Sequence, residues 1–473
     1  MKKSSFRIIV FLVLLCLWLP LYLVSSSSED LILINDVPHV KQKPDFCGEA
    51  CISMYLQKLG FNISQDQVFN ISGADPALGR GLVTIEMKTA LDLLGFKPGN
   101  VWYKVQVKNL SKDIDGKWKD LLSDLKKGIP SIICRRTSDK PRAAEHFVLV
   151  LGFDAKTDEA IYHDPAVKNG AYLRMKRKTL LDLLPLKYEK DQWTIIRFRL
   201  EADRIEAPDP VKGLTSADFV QQVMKMKTRL PGEFHFVIEP PFIVIGDESL
   251  EMVKTHALRT VKTFSDAMKK QYFPLDPVKT YEIWLFKDSR SYRKYSREIF
   301  GNNPDTPYGY CSSTHSALVM NIATGGGTLC HEIVHAFMPS NFPECPSWFN
   351  EGLASLYEQC AFREGKAYGM TNWRLAGLQN KIKEERLPSF KTLCSTTTHE
   401  FYSMRSGDNY AQARYLLYYL QEKGVLEQYY RQFKSNVALD PTGYDTLKKI
   451  LGEEDMNAFR KKWEQYVLAL AFP

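Results

Sequence analysis

The 473-residue sequence has no P-loop, no dinucleotide-binding glycine fingerprint, no zinc-finger spacing and no tandem repeat. It also lacks a dense basic run with interleaved aromatics. The formal charge is +8, but the Lys and Arg are scattered among Asp and Glu. A nucleic-acid partner is therefore excluded from the expectations. Low-complexity tracts are absent, and 44% hydrophobic with 25% charged residues is a globular composition. The length exceeds one ordinary core, so two domains and a leader are expected. Long apolar runs are absent except for one near the start. Lys2, Lys3 and Arg7 precede an uncharged stretch from Ile8 to Val24, which reads as a signal peptide or an uncleaved N-terminal membrane anchor over residues 1–30. Either reading places the body outside the cytoplasm: secreted, periplasmic or anchored to the membrane.

Cysteine is sparse. Outside Cys16 there are eight, and in an oxidising compartment the five of the second half can form two bridges. Cys345 with Cys360, bracketing one helix, is one such pairing. Cys330 reads as a bridge or core residue rather than a metal ligand.

The richest stretch is TLCHEIVHAFMPSNFPECPSWFNEGLASLYEQC. On a helix His331 and His335 lie four apart on one face, so both imidazoles can meet one ion, with Glu332 beside them and not a ligand. Zinc ordinarily takes three protein ligands and a water, and Glu351 on a following helix supplies a third. On that second helix Glu351, Ala354 and Leu356 are expected to share the buried side, with Ser355 and Glu358 turned elsewhere. MPSNFPECPS, with three prolines, reads as the reversing loop. Upstream, ALVMNIATGGGT reads as a short strand and a glycine turn, with Thr328 as N-cap of the metal helix.

This segment resembles the gluzincin metallopeptidases, with HExxH followed by Asn350-Glu351-Gly352-Leu353-Ala354-Ser355. The likeness is to small bacterial peptidase-like domains of that superfamily and covers about residues 235 to 440. It implies that His331, His335 and Glu351 bind Zn(2+) and that Glu332 is the general base. It also implies that the strand Ala317–Ile322 is the edge strand along which an extended peptide lies. Tyr402 and Tyr410 are candidates for the tyrosine that many relatives add to the site.

Near the start, LILIN and VPHVKQ read as strands, and CGEACISMYLQKLG reads as a helix opened by Cys47. A thiol at a helix start is a recognised reactive position; a core pair or bridge of Cys47 with Cys51 is the structural alternative. A helix from about Trp118 to Lys127 and a strand Pro130 to Cys134 follow. A hairpin then puts His146 at the head of one strand and Asp164 at the foot of its neighbour, so Cys47, His146 and Asp164 form a candidate triad. His163 and His39 read as surface or packing histidines.

The pattern Gln42, Cys47-Gly48, His146-Phe147-Val148-Leu149-Val150 and Asp164-Pro165 resembles the papain-like domains of bacteriocin-leader-processing cysteine peptidases, over about residues 33 to 200. The resemblance implies Cys47 as nucleophile, His146 as base, Asp164 as orienting acid and Gln42 as oxyanion donor. Glu145 stands where relatives usually carry Gly, which narrows access beside the base.

The expected fold class is thus α+β: a papain-like domain at 31–200, a linker at 201–216 and a zincin-like metallopeptidase domain at 217–473 with a helical C-terminal part. The expected function is exported zinc-dependent hydrolysis of peptide bonds in a peptide or protein substrate, with a second, cysteine-peptidase-like site. The alternative is a noncatalytic envelope protein that uses both folds to bind peptide or cell wall.

Overall fold

In the computed structural model the described residues are 30–472 except 141, 313, 404 and 405. The leader at 1–30 lies almost wholly outside them, and no described helix is long and apolar enough to cross a membrane. The chain opens with β1 (Leu31–Leu33) and three helices, α1 (Cys47–Lys58), α2 (Gln65–Ile71) and α3 (Thr84–Leu93). Then come β2 (Trp102–Gln106), α4 (Leu110–Lys126), β3 (Ser131–Arg136), β4 (Glu145–Asp154), β5 (Glu159–His163), β6 (Leu173–Lys176), α5 (Arg177–Leu183) and β7 (Gln192–Arg199). Two compact units divide the chain. One joins residues up to 39 with 99–201, and the other joins 40–98 with 202–473.

The first unit is built on an antiparallel sheet of order β2-β7-β3-β4-β5-β6, with β1 added along β4. The stretch VPHVKQ is not a second strand. Asp36 takes a left-handed φ of 56° and Pro38 has no N–H to donate, so the chain breaks after β1. The N–H of buried Val37 instead donates to Tyr172 Oη. Helix α4 starts eight residues before Trp118, because Ile114, Trp118, Leu121 and Leu125 extend one apolar stripe backward through charged neighbours. That stripe packs on Val148, Val150 and Phe153.

The second unit holds α1 to α3 and everything after residue 201. Helix α6 (Ser216–Lys227) lies against the early helices: Ala217 N donates to Asn70 Oδ1, Gln221 to Pro44 O, and Lys227 to Leu78 O. Beyond it come β8 (His235–Glu239), β9 (Phe242–Gly246), α7 (Leu250–His256), a π-helical turn (Ala257–Lys262), α8 (Thr263–Gln271), β10 (Tyr281–Phe286) and α9 (Ser289–Phe300). β11 (Gly309–Ser312) and β12 (Ala317–Asn321) complete a sheet of order β11-β12-β10-β9-β8. Alternation along β10 serves two cores. Ile283 and Leu285 face one with the following helices, while Trp284 and Phe286 face another with Phe219, Val223 and Tyr295.

Two sequence expectations change here. β12 runs parallel to β10 on one side and antiparallel to β11 on the other, so it is interior and β11 forms the edge. Helix α10 (Gly327–Asn341) does not stop before Pro339 but carries it in its last turn. Buried Asn341 holds that turn, donating to Phe337 O and Leu275 O and accepting from Leu275 N. The reversal is therefore only 342–346, ahead of α11 (Ser347–Leu356). A hairpin of β13 (Cys360–Arg363) and β14 (Lys366–Gly369) follows. The remainder is helical: α12 (Arg374–Lys383), α13 (Phe390–Cys394), α14 (Thr398–Ser403), α15 (Ser406–Glu422), α16 (Leu426–Asn436), α17 (Tyr444–Leu451) and α18 (Met456–Leu468).

Candidate active sites

Helix α10 starts at Gly327 with Gly326 as N-cap and no side-chain cap, so Thr328 does not cap it. The start is set by contact: a Cβ on Gly327 would stand 2.3 Å from Glu358 O. One helical turn apart, the His331 and His335 rings meet edge to face with centroids at 4.7 Å. Their Nε2 atoms are 3.1 Å apart. Glu351, on α11 and 5% exposed, brings Oε2 to 3.3 Å from His331 Nε2 and 3.4 Å from His335 Nε2. That oxygen has no hydrogen-bond partner. Its other oxygen, Oε1, accepts a 2.5 Å hydrogen bond from Tyr402 Oη, and Tyr410 lies close to the same carboxylate.

Three donors held so near one another, one of them a buried oxygen without a partner, fit a cation. Ligands about 2.0–2.1 Å from a tetrahedral zinc lie roughly 3.3–3.4 Å apart, matching the triangle of Nε2, Nε2 and Oε2. Around that triangle sit groups that would orient such ligands. His335 Nδ1 is 2.9 Å from Asn350 Oδ1, which can only accept there, so Nδ1 carries the proton and the Nε2 lone pair faces the triangle. His331 Nδ1 faces Glu358 Oε1 at 3.4 Å. Glu358 thus points at the site, contrary to the expectation from its helical position. Helix α11 ends at Leu356, so its periodicity no longer governs residue 358. Arg374 grips Glu358 with two hydrogen bonds, Nη2 to Oε1 at 2.8 Å and Nε to Oε2 at 3.0 Å, and Asn372 adds a third. Ser355 is also buried, enclosed on a helix whose residues from Trp348 to Leu356 are almost all inside.

The electrostatics agree. Burial pushes the Glu351 carboxyl up, but the two imidazoles outweigh it and hold the group well below the usual carboxylate range. Burial likewise pushes His331 down, and the Glu351 and Glu358 carboxylates outweigh it, lifting the imidazole to about 10. The surroundings therefore demand positive charge at the triangle. Glu332 lines a 380 Å³ cleft over the site with His331, Tyr308, Trp373, Arg374 and Tyr410.

The cysteines make no bridge between Cys345 and Cys360. Cys360 lies beside Cys330 instead, where the β13 strand returns past α10.

In the first unit His146 Nε2 is 2.7 Å from Asp164 Oδ1, with both side chains buried. Arg135, across from His146 in the β3–β4 register, donates from Nη2 to Asp164 Oδ2 at 3.1 Å, and Ala166 N donates to Oδ1. Burial pushes the Asp164 carboxyl up, and the hydrogen bond to His146 outweighs it and holds the acid below its ordinary value. With Nε2–H bound to an anionic oxygen, Nδ1 keeps the lone pair a base needs. His163 is fully buried, both ring nitrogens without partners, and burial lowers it to about 4. It packs edge to face on Tyr172. His39 Nε2 is 2.9 Å from Asp164 O. In the second unit, half-buried Cys47 is the first residue of α1, and Gln42 is half-buried with Oε1 lacking a partner.

Residues 34–198 match the model of the Peptidase_C39 like family. That segment is a Peptidase_C39-like domain. The match spans the Gln42, Cys47-Gly48, His146 and Asp164-Pro165 positions of the sequence pattern, and it makes the papain-like expectation sound for this part of the chain. The peptidase domain of Streptococcus ComA, a bi-functional ABC transporter involved in a quorum-sensing pathway, is a similar solved structure. The likeness covers 35% of this chain and 98% of that one, at 17% identity and a TM-score of 0.23. No curated protein matches. Over residues 34–198, and there alone, the comparisons make the chain similar to a peptidase family.

Some site residues escaped the sequence reading. Arg135 on Asp164 and Glu358 with Arg374 at His331 belong to no motif spacing used above, and Asn350, though part of the quoted motif, was given no role at His335. Asn350 alone had a signal, as the residue before Glu351.

Proposed function

We propose that the chain is an exported peptidase with two sites, and that its HExxH centre is a zinc site hydrolysing peptide bonds within a zincin-like domain at 217–473. The observation that carries this reading is the near-equilateral triangle of His331 Nε2, His335 Nε2 and Glu351 Oε2, whose edges of 3.1, 3.3 and 3.4 Å suit tetrahedral zinc. Zinc bound there supplies Lewis-acid polarisation of a carbonyl and acidification of water. The chain's own residues do the rest. Glu332, in the cleft next to His331, takes the proton of the attacking water and passes it to the leaving amine. Tyr402 fixes the orientation of Glu351, and Asn350 fixes the tautomer of His335. A substrate strand runs along the β11 edge. The roles of Cys47 as nucleophile, His146 as base, Asp164 as orienting acid and Gln42 as oxyanion donor complete the reading for the C39-like domain. The linker at 201–216 and export through residues 1–30 belong to the same proposal.

Metal analysis of the full chain, purified without added metal, is expected to give about one zinc per molecule. A chelator is expected to abolish hydrolysis that added zinc restores. Glu332→Gln should keep the zinc and lose roughly 10²-fold or more in turnover. Undiminished zinc in His335→Ala would overturn the ligand assignment.

A further inference from the structure

On the face of the β11–β8 sheet away from α10 lies a pocket of 420 Å³ that the proposed chemistry does not use. Its floor holds the carboxylate of Glu282, 9% exposed. Gln222 Nε2 donates to Oε1 at 2.7 Å and Trp284 Nε1 to Oε2 at 3.0 Å. Both donors are neutral, and a carboxylate offers about four acceptor positions. Among the described residues none forms an ion pair with Glu282. A buried carboxylate with neutral partners and spare lone pairs, open to a cavity, attracts an ammonium group strongly.

One wall is aromatic. Trp284 meets Phe300 edge to face at 5.4 Å, and Phe300 meets His315 at 5.3 Å. Met226 and Leu230 add apolar surface. Lys225 and Arg229 are exposed at the rim and, among the described residues, form no ion pair; one exposed carboxylate, Glu298, also lines the pocket. Anion at the floor, apolar wall and cations at the mouth together match one kind of molecule. We infer that this pocket binds a zwitterion of dipeptide size, with its ammonium on Glu282, an apolar first side chain against Trp284 and Phe300, and its carboxylate at Lys225 and Arg229. The volume is within the range of small-ligand sites. The inference is independent of the zinc reading, because the pocket is on α6, α9 and β10 and the ligand triangle is on α10 and α11.

Calorimetry on the full chain carrying Glu332→Gln, which on the proposed mechanism slows turnover by roughly 10²-fold or more, tests it with L-leucylglycine as the probe. Saturable binding of one equivalent is expected. N-acetyl-L-leucylglycine, which has no ammonium, should bind at least about 10-fold more weakly. Adding Glu282→Gln should weaken the free dipeptide by a similar factor, whereas adding His335→Ala should not. Because a change at Glu282 risks the fold, Lys225→Gln with Arg229→Gln, both at exposed positions, gives a second reading. In the parent, L-leucylglycine should bind several-fold more tightly than L-leucylglycinamide, and the double variant should erase that preference. The inference fails if the acetylated probe binds as well as the free one, if the preference for the carboxylate survives the double variant, or if no binding is seen at about 10 mM.

Discussion

Glu49 gives the start of α1 a pH dependence. It is wholly buried, Leu82 N donates to Oε1, and Oε2 has no partner. Burial pushes its carboxyl up from 4.5 to about 8. Between those values the folded chain holds a proton that the unfolded chain has released. Stability is therefore full below pH 4.5 and falls as pH rises through 8, by about 1.4 kcal/mol per unit at most. Denaturant melts of the native chain and Glu49→Gln at pH 5 and pH 8 should show a smaller loss for the variant; equal losses would count against a buried proton. Two residues earlier, Cys47 is expected to react with a peptide-like thiol probe faster than Cys134 under reducing conditions. On the proposed roles of these residues, His146→Ala should slow that labelling. Labelling of Cys47 that ignores His146 would favour a binding domain. Residue types at fixed spacing were readable in advance, which is why His331, His335 and Glu351 could be named together. Partners such as Glu358 and Arg135 were not, because they arrive after a helix end and across a strand register, where spacing carries no information.

Gly352 decides how closely α11 approaches α15. A Cβ there would lie 3.1 Å from Ala413 Cβ and 3.2 Å from Leu417 Cδ1. Gly352→Leu should push the helices apart at a cost of roughly 1–3 kcal/mol. Because Glu351 is the adjacent residue, the variant should also bind zinc less tightly; a lower melting temperature with unchanged metal affinity would separate packing from ligand placement. The second half of α4, the HExxH helix α10 and the strand headed by His146 were plain in the sequence. Their ends were less so. Proline rules predict a break at Pro339, yet Asn341 supplies tertiary hydrogen bonds that hold the last turn. β11 was not foreseen, since four residues, Gly309 to Ser312, carry too short a pattern. Its presence moved the sheet edge away from Ala317.

At the scale of the molecule, the sequence signalled two folded regions through the acid- and proline-rich stretch at 201–216, but not that residues 40–98 group with the chain after 201. Pattern reading follows neighbours along the chain, and this grouping rests on contacts between segments far apart in it. A fragment ending at residue 200 would lack α6, whose Val223 lies where a Cβ on Gly79 would meet it at 2.6 Å. Such a fragment should expose the apolar side of the early helices and bind a hydrophobic dye, whereas a fragment ending after α6 should not. Equal dye binding by the two would show that α1 to α3 need no later partner. The same arrangement bears on biogenesis. As the chain leaves the ribosome, α1 to α3 emerge well before α6, and at about 5–20 residues per second they wait on the order of ten seconds for it. During that interval the three helices have no α6 to cover their apolar side.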